Sequence, residues 1–307
     1  PALQGLRPVK TELTIIHTVS LRSQSMRDFV VPCGRVLWYN RKDRRAGGLS
    51  WAAPAADSGN MQGGMTMFQG FSNETIDFMW GIRFNNEKGW FEAHKAEYLQ
   101  YFYEPLKSLS REVYAAMCEA YPDLGLISKV SRIYRDARRL HGRGPYKDRL
   151  WMSIEQPVEE WTSHPVFWFE LAPEGYSFGM GYYSARPLTM AKFRARLDRD
   201  PRPFETLVRR FHHQDRFVLE SECYKRPKGH PGALLQDWYN SKNFSLICER
   251  SHDALLFSPD LARELIEGFT ALMPMYLYFS SLDGDPEPGE GGRASTGQAS
   301  HQDLHKI

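Results

Sequence analysis

The chain has 307 residues, in which 39 Lys and Arg face 37 Asp and Glu, so its formal net charge is only +2. This balance excludes a strongly basic or acidic polyelectrolyte, and a content of 42% hydrophobic and 25% charged residues is typical of a chain that buries a core. Charged residues interrupt every apolar run before it reaches the roughly 20 residues that a spanning helix needs, so we expect no membrane contact.

Helical spacing begins at about residue 67. Ser72 is a typical N-cap for a first helix, and a second helix begins near Glu87. Pro105 breaks or restarts this second helix, and an amphipathic pattern then continues to Pro122. The second helix carries an aromatic stripe that should face the core: Trp90, Phe91, His94, Tyr98 and Phe102.

The middle of the chain changes to strand periodicity, with predicted strands at 130–134, 150–154, 166–171 and 176–183. The turn Ala172-Pro-Glu-Gly joins the last two strands as a β-hairpin. Gly179 and Gly181 indicate a bulge or a close backbone approach. Helices follow at 189–197 and 203–213, strands at 217–224 and 244–250, and a last helix from Ser258-Pro.

Helices at both ends of an antiparallel strand cluster predict an α+β fold with a central, mostly antiparallel sheet. Residues 67–282 form the single predicted domain, and the polar tail 283–307 is predicted to be disordered.

Residues 1–66 differ from this domain because no periodicity persists in them, and breaker-rich stretches predict disorder. Two interpretations are open. One is upstream sequence read through in frame, with translation starting at Met67 or Met65, which the preceding Gln62-Gly-Gly favours because a purine-rich ribosome-binding stretch would encode it. The other is a genuine disordered extension. Mass spectrometry of the native amino terminus distinguishes the two.

Cysteine usage indicates a reducing compartment. The four cysteines are far apart and form neither a C-x-x-C pair nor a zinc-ligand spacing: Cys33, Cys118, Cys223 and Cys248. No secretion signal is visible, so the predicted location is the cytoplasm. His212 and His213 are adjacent on a predicted helix and point about 100° apart, so they cannot readily ligate one metal ion together. We assign no metal and no cofactor.

Positive charge is concentrated in residues 129–149, where eight Lys and Arg face two Asp. If 130–134 is a strand, Arg132 lies on one of its faces, and Arg135 and Asp136 lie at its end. Guanidinium groups bind carboxylate or phosphate through paired hydrogen bonds, and Asp136 would hold one of them in place. The pattern predicts an anion site. The competing interpretation is a solvated basic edge strand, which discourages association between sheets.

Three stretches resemble the bacterial and fungal domain-of-unknown-function family numbered 2461, and the resemblance covers about 67–282. They are Phe71-Ser-Asn-Glu-Thr-Ile-Asp-Phe, Asn85-Asn-Glu-Lys-Gly-Trp-Phe-Glu-Ala-His-Lys, and Arg132-Ile-Tyr-Arg-Asp-Ala-Arg followed by Pro145-Tyr-Lys. The chain departs from the family motif at three positions. It has Arg139 where the family has Phe, Gly142 where the family has Asp, and Arg143 where the family has Lys. The resemblance implies no particular activity, but it favours a site at the Arg/Asp/Tyr cluster.

The first functional hypothesis is a domain that binds a phosphate- or carboxylate-bearing small molecule. The predicted binding residues are Arg132, Arg135, Asp136, Arg138, Arg143, Tyr146 and Lys147. Asp136 would orient the arginines, and the Tyr146 hydroxyl would close the pocket. Catalysis is left open; if it occurs, Tyr146 or His94 would transfer the proton. A hydrogen-bonded core histidine is the simpler interpretation of His94.

Two alternatives belong to other classes. A nucleic-acid partner would use Trp90, Trp168, Tyr182 and Tyr183 for base stacking beside the basic segment. A structural interaction module would use Asp136 and the arginines to join the sheet to a helix. A second basic group, Lys225–His230, either lines the same cleft or is a solvated loop. The oligomeric state is not predicted.

Overall fold

The structure, a computed structural model, describes residues 67–136, 138, 140, 142, 144–159 and 164–288. The predicted extension 1–66 and residues 289–307 lie outside the described residues. Within them, six antiparallel strands form one sheet in the order β1-β2-β3-β4-β6-β5, so the predicted α+β class is confirmed. The strands are β1 (Ile127–Val130), β2 (Leu150–Glu155), β3 (Val166–Ala172), β4 (Gly175–Gly181), β5 (Val218–Cys223) and β6 (Ser241–Arg250).

Helices lie before, between and after the strands. They are α1 (Asn73–Phe84), α2 (Lys88–Ala93), α3 (Lys95–Glu97), a π-helical segment (Tyr98–Tyr103), α4 (Glu104–Ala120), α5 (Pro187–Arg199), α6 (Arg202–Phe211), α7 (Gln236–Tyr239) and α8 (Asp260–Ser280). Helix α1 begins after Ser72, as predicted, and the Ser72 main-chain N–H donates to the Thr75 hydroxyl at 3.2 Å. This bond satisfies a donor at the start of the helix.

Pro105 does not break the helical stretch. It occupies the second position of α4, directly after the π-helical segment, and the backbone keeps helical φ and ψ through Tyr103 and Glu104. The wider turns of the π-helical segment precede it, and they keep Tyr98 and Phe102 buried. The aromatic stripe therefore continues across a change of helix type.

The main core lies between one face of the sheet and helices α4 and α8. Alternation along β3 places Phe167 and Phe169 on this face, where both are fully buried. The ring centroid of Phe167 lies 4.6 Å from that of Tyr276 and 5.0 Å from that of Phe269, both in α8. Each buried aromatic side chain stabilises the fold by roughly 1.5–3 kcal/mol, so this face anchors the sheet.

The strand predicted at 130–134 lies about three residues earlier, since β1 ends at Val130. Beyond β1, Tyr134 and Tyr146 form an isolated antiparallel bridge. The reason for Gly179 is close approach, because a Cβ there would lie 1.9 Å from the Leu246 carbonyl oxygen of the paired strand β6.

The contacts of the domain extend past the predicted boundary at residue 282. Arg196 of α5 donates through Nε to Asp285 at 2.7 Å, and His164 pairs with Asp283. Both carboxylates lie in the segment that the sequence assigned to the tail, so the ordered contacts end at least three residues later than expected.

Candidate anion-binding site

The described residues of the segment 131–149, called the ribbon below, form an irregular antiparallel extension of the β1–β2 hairpin. Main-chain hydrogen bonds join its arms, from Arg135 N to Pro145 O (2.8 Å) and from Lys147 N to Ile133 O (2.7 Å). Ile133 is buried, whereas Arg132 is exposed. Ile133 and Tyr146 thus anchor the ribbon in the core, one from each arm, while the Arg132 side chain reaches solvent.

Asn86, in the loop between α1 and α2, fixes the second arm of the ribbon. Its amide nitrogen donates to the Tyr146 carbonyl and its amide oxygen accepts from the Tyr146 N–H, both at 2.9 Å. Gly144 lies directly beside it, and a Cβ at this position would be 2.1 Å from the Asn86 oxygen. The asparagine and the glycine together set the path of the chain that leads to Lys147.

Asp148 gathers three arginines at the base of the ribbon. Arg83 of α1 donates through Nε to Asp148 Oδ2 at 2.5 Å, while Arg135 Nη2 and Arg149 Nε lie 3.6 Å and 3.8 Å from Oδ1. Burial raises the pKa of Asp148, but the hydrogen bond from Arg83 and the charges of Arg149 and Arg83 outweigh it, and the pKa falls below its ordinary value. The carboxylate therefore stays charged at neutral pH.

Further carboxylates contact two of these arginines. Arg149 Nη1 lies 3.5 Å from Glu170, whose side chain is only 5% exposed, and Arg83 Nη2 donates to Glu174 at 3.2 Å. The charges of three arginines and three carboxylates balance. This network ties α1 and the ribbon to the β3–β4 hairpin.

Asp136, which was predicted to orient the arginines, makes its described bonds locally. It accepts from the Arg138 main-chain N–H at 3.1 Å and from Arg138 Nη2 at 2.8 Å. The Arg138 side chain is 71% exposed at the tip of the ribbon. The aspartate at the centre of the arginine network is Asp148, and Arg143 lies outside the described residues.

Lys147 lies in positively charged surroundings. Its ammonium donates to the Arg132 carbonyl and lies 4.2 Å from the ring centroid of Trp151. Burial, followed by the charges of Arg135 and Arg132, lowers the pKa of Lys147 to about 7. Lys147 therefore exchanges its proton near neutral pH, and a neighbouring anion would favour its charged form.

The two residues predicted for proton transfer both pack against aromatic rings. Tyr146 is 3% exposed, its ring centroid lies 4.3 Å from that of Phe91, and burial raises its pKa. His94 stacks on Trp90 at 4.0 Å, and its Nδ1 lies 2.8 Å from the Trp90 carbonyl oxygen. A hydrogen-bonded structural histidine accounts for these contacts of His94.

The second basic group does not belong to this site. Lys225–His230 follows β5, which forms the edge of the sheet opposite β1. Five spacings of about 4.8 Å separate the two edges, so the interpretation that this group lines the same cleft is wrong. Among the aromatic residues considered for base stacking, Tyr182 is 2% exposed and cannot reach a base.

Two cavities of the described residues lie away from the ribbon. Their volumes are about 400 and 340 Å³, and they are lined by residues of α5, α6 and α8 and their neighbouring loops. In the part of the chain that the structure describes, no helix has the length and apolar character needed to cross a membrane.

Arg83, Asn86 and Asp148 were not among the predicted site residues. Asn86 lies in a stretch quoted for the family resemblance, and Asp148 lies within the basic segment. A usable signal was that Asp148 is one of only two carboxylates in residues 129–149, which made it a candidate partner for the arginines.

Fold and site together define an α+β domain in which an arginine-rich ribbon is clamped to the edge of an antiparallel sheet. The chain belongs to the family described as conserved hypothetical protein (DUF2461), whose model matches residues 74–278. The resemblance found in the sequence is thereby confirmed at the level of the family. No curated protein matches the chain.

Proposed function

We propose that the ribbon binds an oxyanion, the phosphate or carboxylate group of a small molecule, at a patch formed by Arg132, Arg135 and Lys147. The observation that carries this proposal is the half-buried Lys147, whose ammonium donates to the Arg132 carbonyl and whose pKa is lowered by burial and by the charges of Arg135 and Arg132. Positive charges held close together repel one another in the free protein, and a bound oxyanion would offset this repulsion.

The three groups have different roles in the proposal. Arg132 is exposed and Lys147 lies beside its main chain, so these two side chains contact the anion. Arg135 donates through Nε to the Tyr146 carbonyl at 2.7 Å and pairs with Asp148, so it positions the ribbon and adds positive potential. Tyr146 supports the ribbon from the core, and no turnover is proposed.

A structural role for the arginines is the second candidate, because Asp148 contacts three of them. In that case the patch has no ligand, and the network serves only to hold α1 and the ribbon together. A nucleic-acid partner would also be attracted by the patch, and binding of nucleic acid is therefore one of the outcomes that the test distinguishes.

The three described cysteines, Cys118, Cys223 and Cys248, are free thiols, which suits the proposed cytoplasmic location.

The test measures sulfate binding by isothermal titration calorimetry between pH 6 and 8.5. Sulfate keeps its charge over this range, so a change in affinity reports on the protein. An anion that favours charged Lys147 binds with proton uptake, so affinity should fall as pH rises through the lysine pKa of about 7. We expect a loss of up to about thirtyfold across the range, since the range extends about 1.5 pH units above the pKa and each unit costs up to tenfold.

Two variants separate the contribution of Lys147 from that of every other group in the protein. Lys147→Met should bind sulfate weakly at every pH, whereas Lys147→Arg, which stays charged, should bind with little pH dependence. Equal pH dependence in wild type and Lys147→Arg would contradict the proposal, as would wild-type affinity in Lys147→Met. Binding of single-stranded oligonucleotides, but not of sulfate, that weakens steeply with salt would favour nucleic acid instead.

A further inference from the structure

A second cluster of positive charge surrounds Tyr224, at the sheet edge opposite the ribbon. Three cations lie over its ring: Lys228 Nζ at 4.6 Å from the centroid, Arg194 Cζ at 5.5 Å and Lys242 Nζ at 5.9 Å. They come from three separate elements, namely the loop after β5, helix α5 and strand β6. Residues distant in the sequence therefore converge on one half-buried ring.

The loop that carries Lys228 is held in place by a buried side chain. Asn240, 5% exposed, accepts from the Lys228 main-chain N–H at 2.6 Å and donates to the Gly229 carbonyl at 3.2 Å. The loop position is thus fixed by the protein itself. Pre-organised groups bind a ligand without the cost of ordering a loop.

The charges of this cluster are only partly neutralised within the described residues. Lys242 pairs with Glu222 at 2.6 Å, and this hydrogen bond raises the lysine pKa. Arg194 and Lys228 have no carboxylate partner there, and Arg194 Nη1 is buried without a hydrogen-bond acceptor. A buried guanidinium nitrogen without an acceptor is unfavourable, and a bound acceptor is one way of satisfying it.

We infer that the Tyr224 cluster is a second oxyanion site, distinct from the ribbon, and that it takes the phosphate group of a small molecule. Three donors that approach from different elements suit a tetrahedral dianion better than a planar carboxylate. In this arrangement the Arg194 guanidinium contributes a planar set of donors, Lys228 and Lys242 add point charges, and the Tyr224 ring supports all three cations.

The experiment titrates inorganic phosphate by isothermal titration calorimetry into protein that carries Lys147→Met in every variant, so that the proposed ribbon patch is weakened and contributes equally to all measurements. Lys228 is exposed, so Lys228→Gln should fold normally, and it should weaken phosphate binding by about tenfold, the usual effect of losing one charged hydrogen bond. Lys225→Gln removes the same charge from an exposed position of the same loop and should change affinity by less than about twofold.

Three results would overturn the inference. They are the absence of saturable phosphate binding, equal losses in Lys228→Gln and Lys225→Gln, and binding of succinate as tight as that of phosphate. The variant Arg194→Lys, which keeps the charge but loses the planar donor, adds an independent measurement and should also bind phosphate more weakly. Thermal unfolding of each variant verifies that it is folded.

Discussion

Replacing Asn86 with alanine tests how the ribbon is held in place. The substitution removes both hydrogen bonds to the Tyr146 main chain. The Tyr146 carbonyl keeps the hydrogen bond from Arg135 Nε at 2.7 Å, so the N–H is the group that loses its acceptor. We therefore expect a loss of stability that comes from one orphaned donor and one weakened acceptor.

The magnitude follows from these two bonds. A lost hydrogen bond costs about 0.5–1.5 kcal/mol, and a buried donor left without an acceptor costs about 1–3 kcal/mol. Because Asn86 is only half-buried, we take the lower part of each range and expect about 2–3 kcal/mol. For a domain of this size each kcal/mol lowers the melting temperature by about 2–4 °C, so the expected decrease is about 5–10 °C.

The assay is thermal unfolding followed by circular dichroism, together with urea unfolding at 25 °C. Asn85→Ala is the matched control, because Asn85 is exposed and its side chain makes a single bond, from Nδ2 to the Gly81 carbonyl at 3.0 Å. The control should lose less than about 1 kcal/mol. A difference of about 2 °C between the melting temperatures of the two variants corresponds to less than the free energy of one hydrogen bond. If the two melting temperatures differ by no more than this, Asn86 does not fix the ribbon.

Two further predictions concern the network and the sheet. Asp148→Asn should lower the free energy of unfolding by about 2 kcal/mol at pH 7, the cost of breaking a buried ion pair after allowance for partial exposure. Because the pKa of Asp148 is lowered in the folded state, its contribution to the free energy of unfolding is present above about pH 4 and is lost as the pH falls through that pKa. The stabilities of wild type and variant, measured by urea unfolding, should therefore converge in acid. A stability difference independent of pH would contradict this. Gly179→Ala should lower the melting temperature by more than about 10 °C, or prevent folding, because its Cβ would overlap the Leu246 carbonyl. Gly89→Ala, in α2 with no atom within 4 Å of the new Cβ, should be neutral or stabilising, and equal effects of the two glycine variants would refute the packing argument.

Local patterns were enough to predict the α+β class and most of the elements. The N-cap at Ser72 and the start of α2 near Glu87 depend on residues a few positions apart, and the structure confirms both. The strand at 130–134 was misplaced because its alternation continues into the ribbon, where Tyr134 makes only an isolated bridge. Alternation records which side chains are buried, and it does not distinguish a regular strand from a ribbon clamped by other groups.

The partners of the arginines could not be predicted in the same way. Asp136 and Asp148 have similar sequence surroundings, but Asp148 meets Arg83, 65 residues away, because α1 packs beside the base of the ribbon. Asp136 instead folds back on Arg138, two residues later, in a turn that competes with long-range bonds. The choice between them is made by tertiary packing, which single-sequence periodicity does not record.

The π-helical segment also bears on how chain length can vary within the family. A π-turn closes its hydrogen bond over five residues rather than four, so it holds one residue more than the α-turn that would replace it. Removing one residue between Tyr98 and Tyr103 would convert such a turn to an α-turn and leave the flanking helices in phase, with their apolar sides still directed inwards. A one-residue deletion within α4 would rotate everything after it by about 100°, so the π-helical segment, unlike α4, can lose a residue without loss of the core.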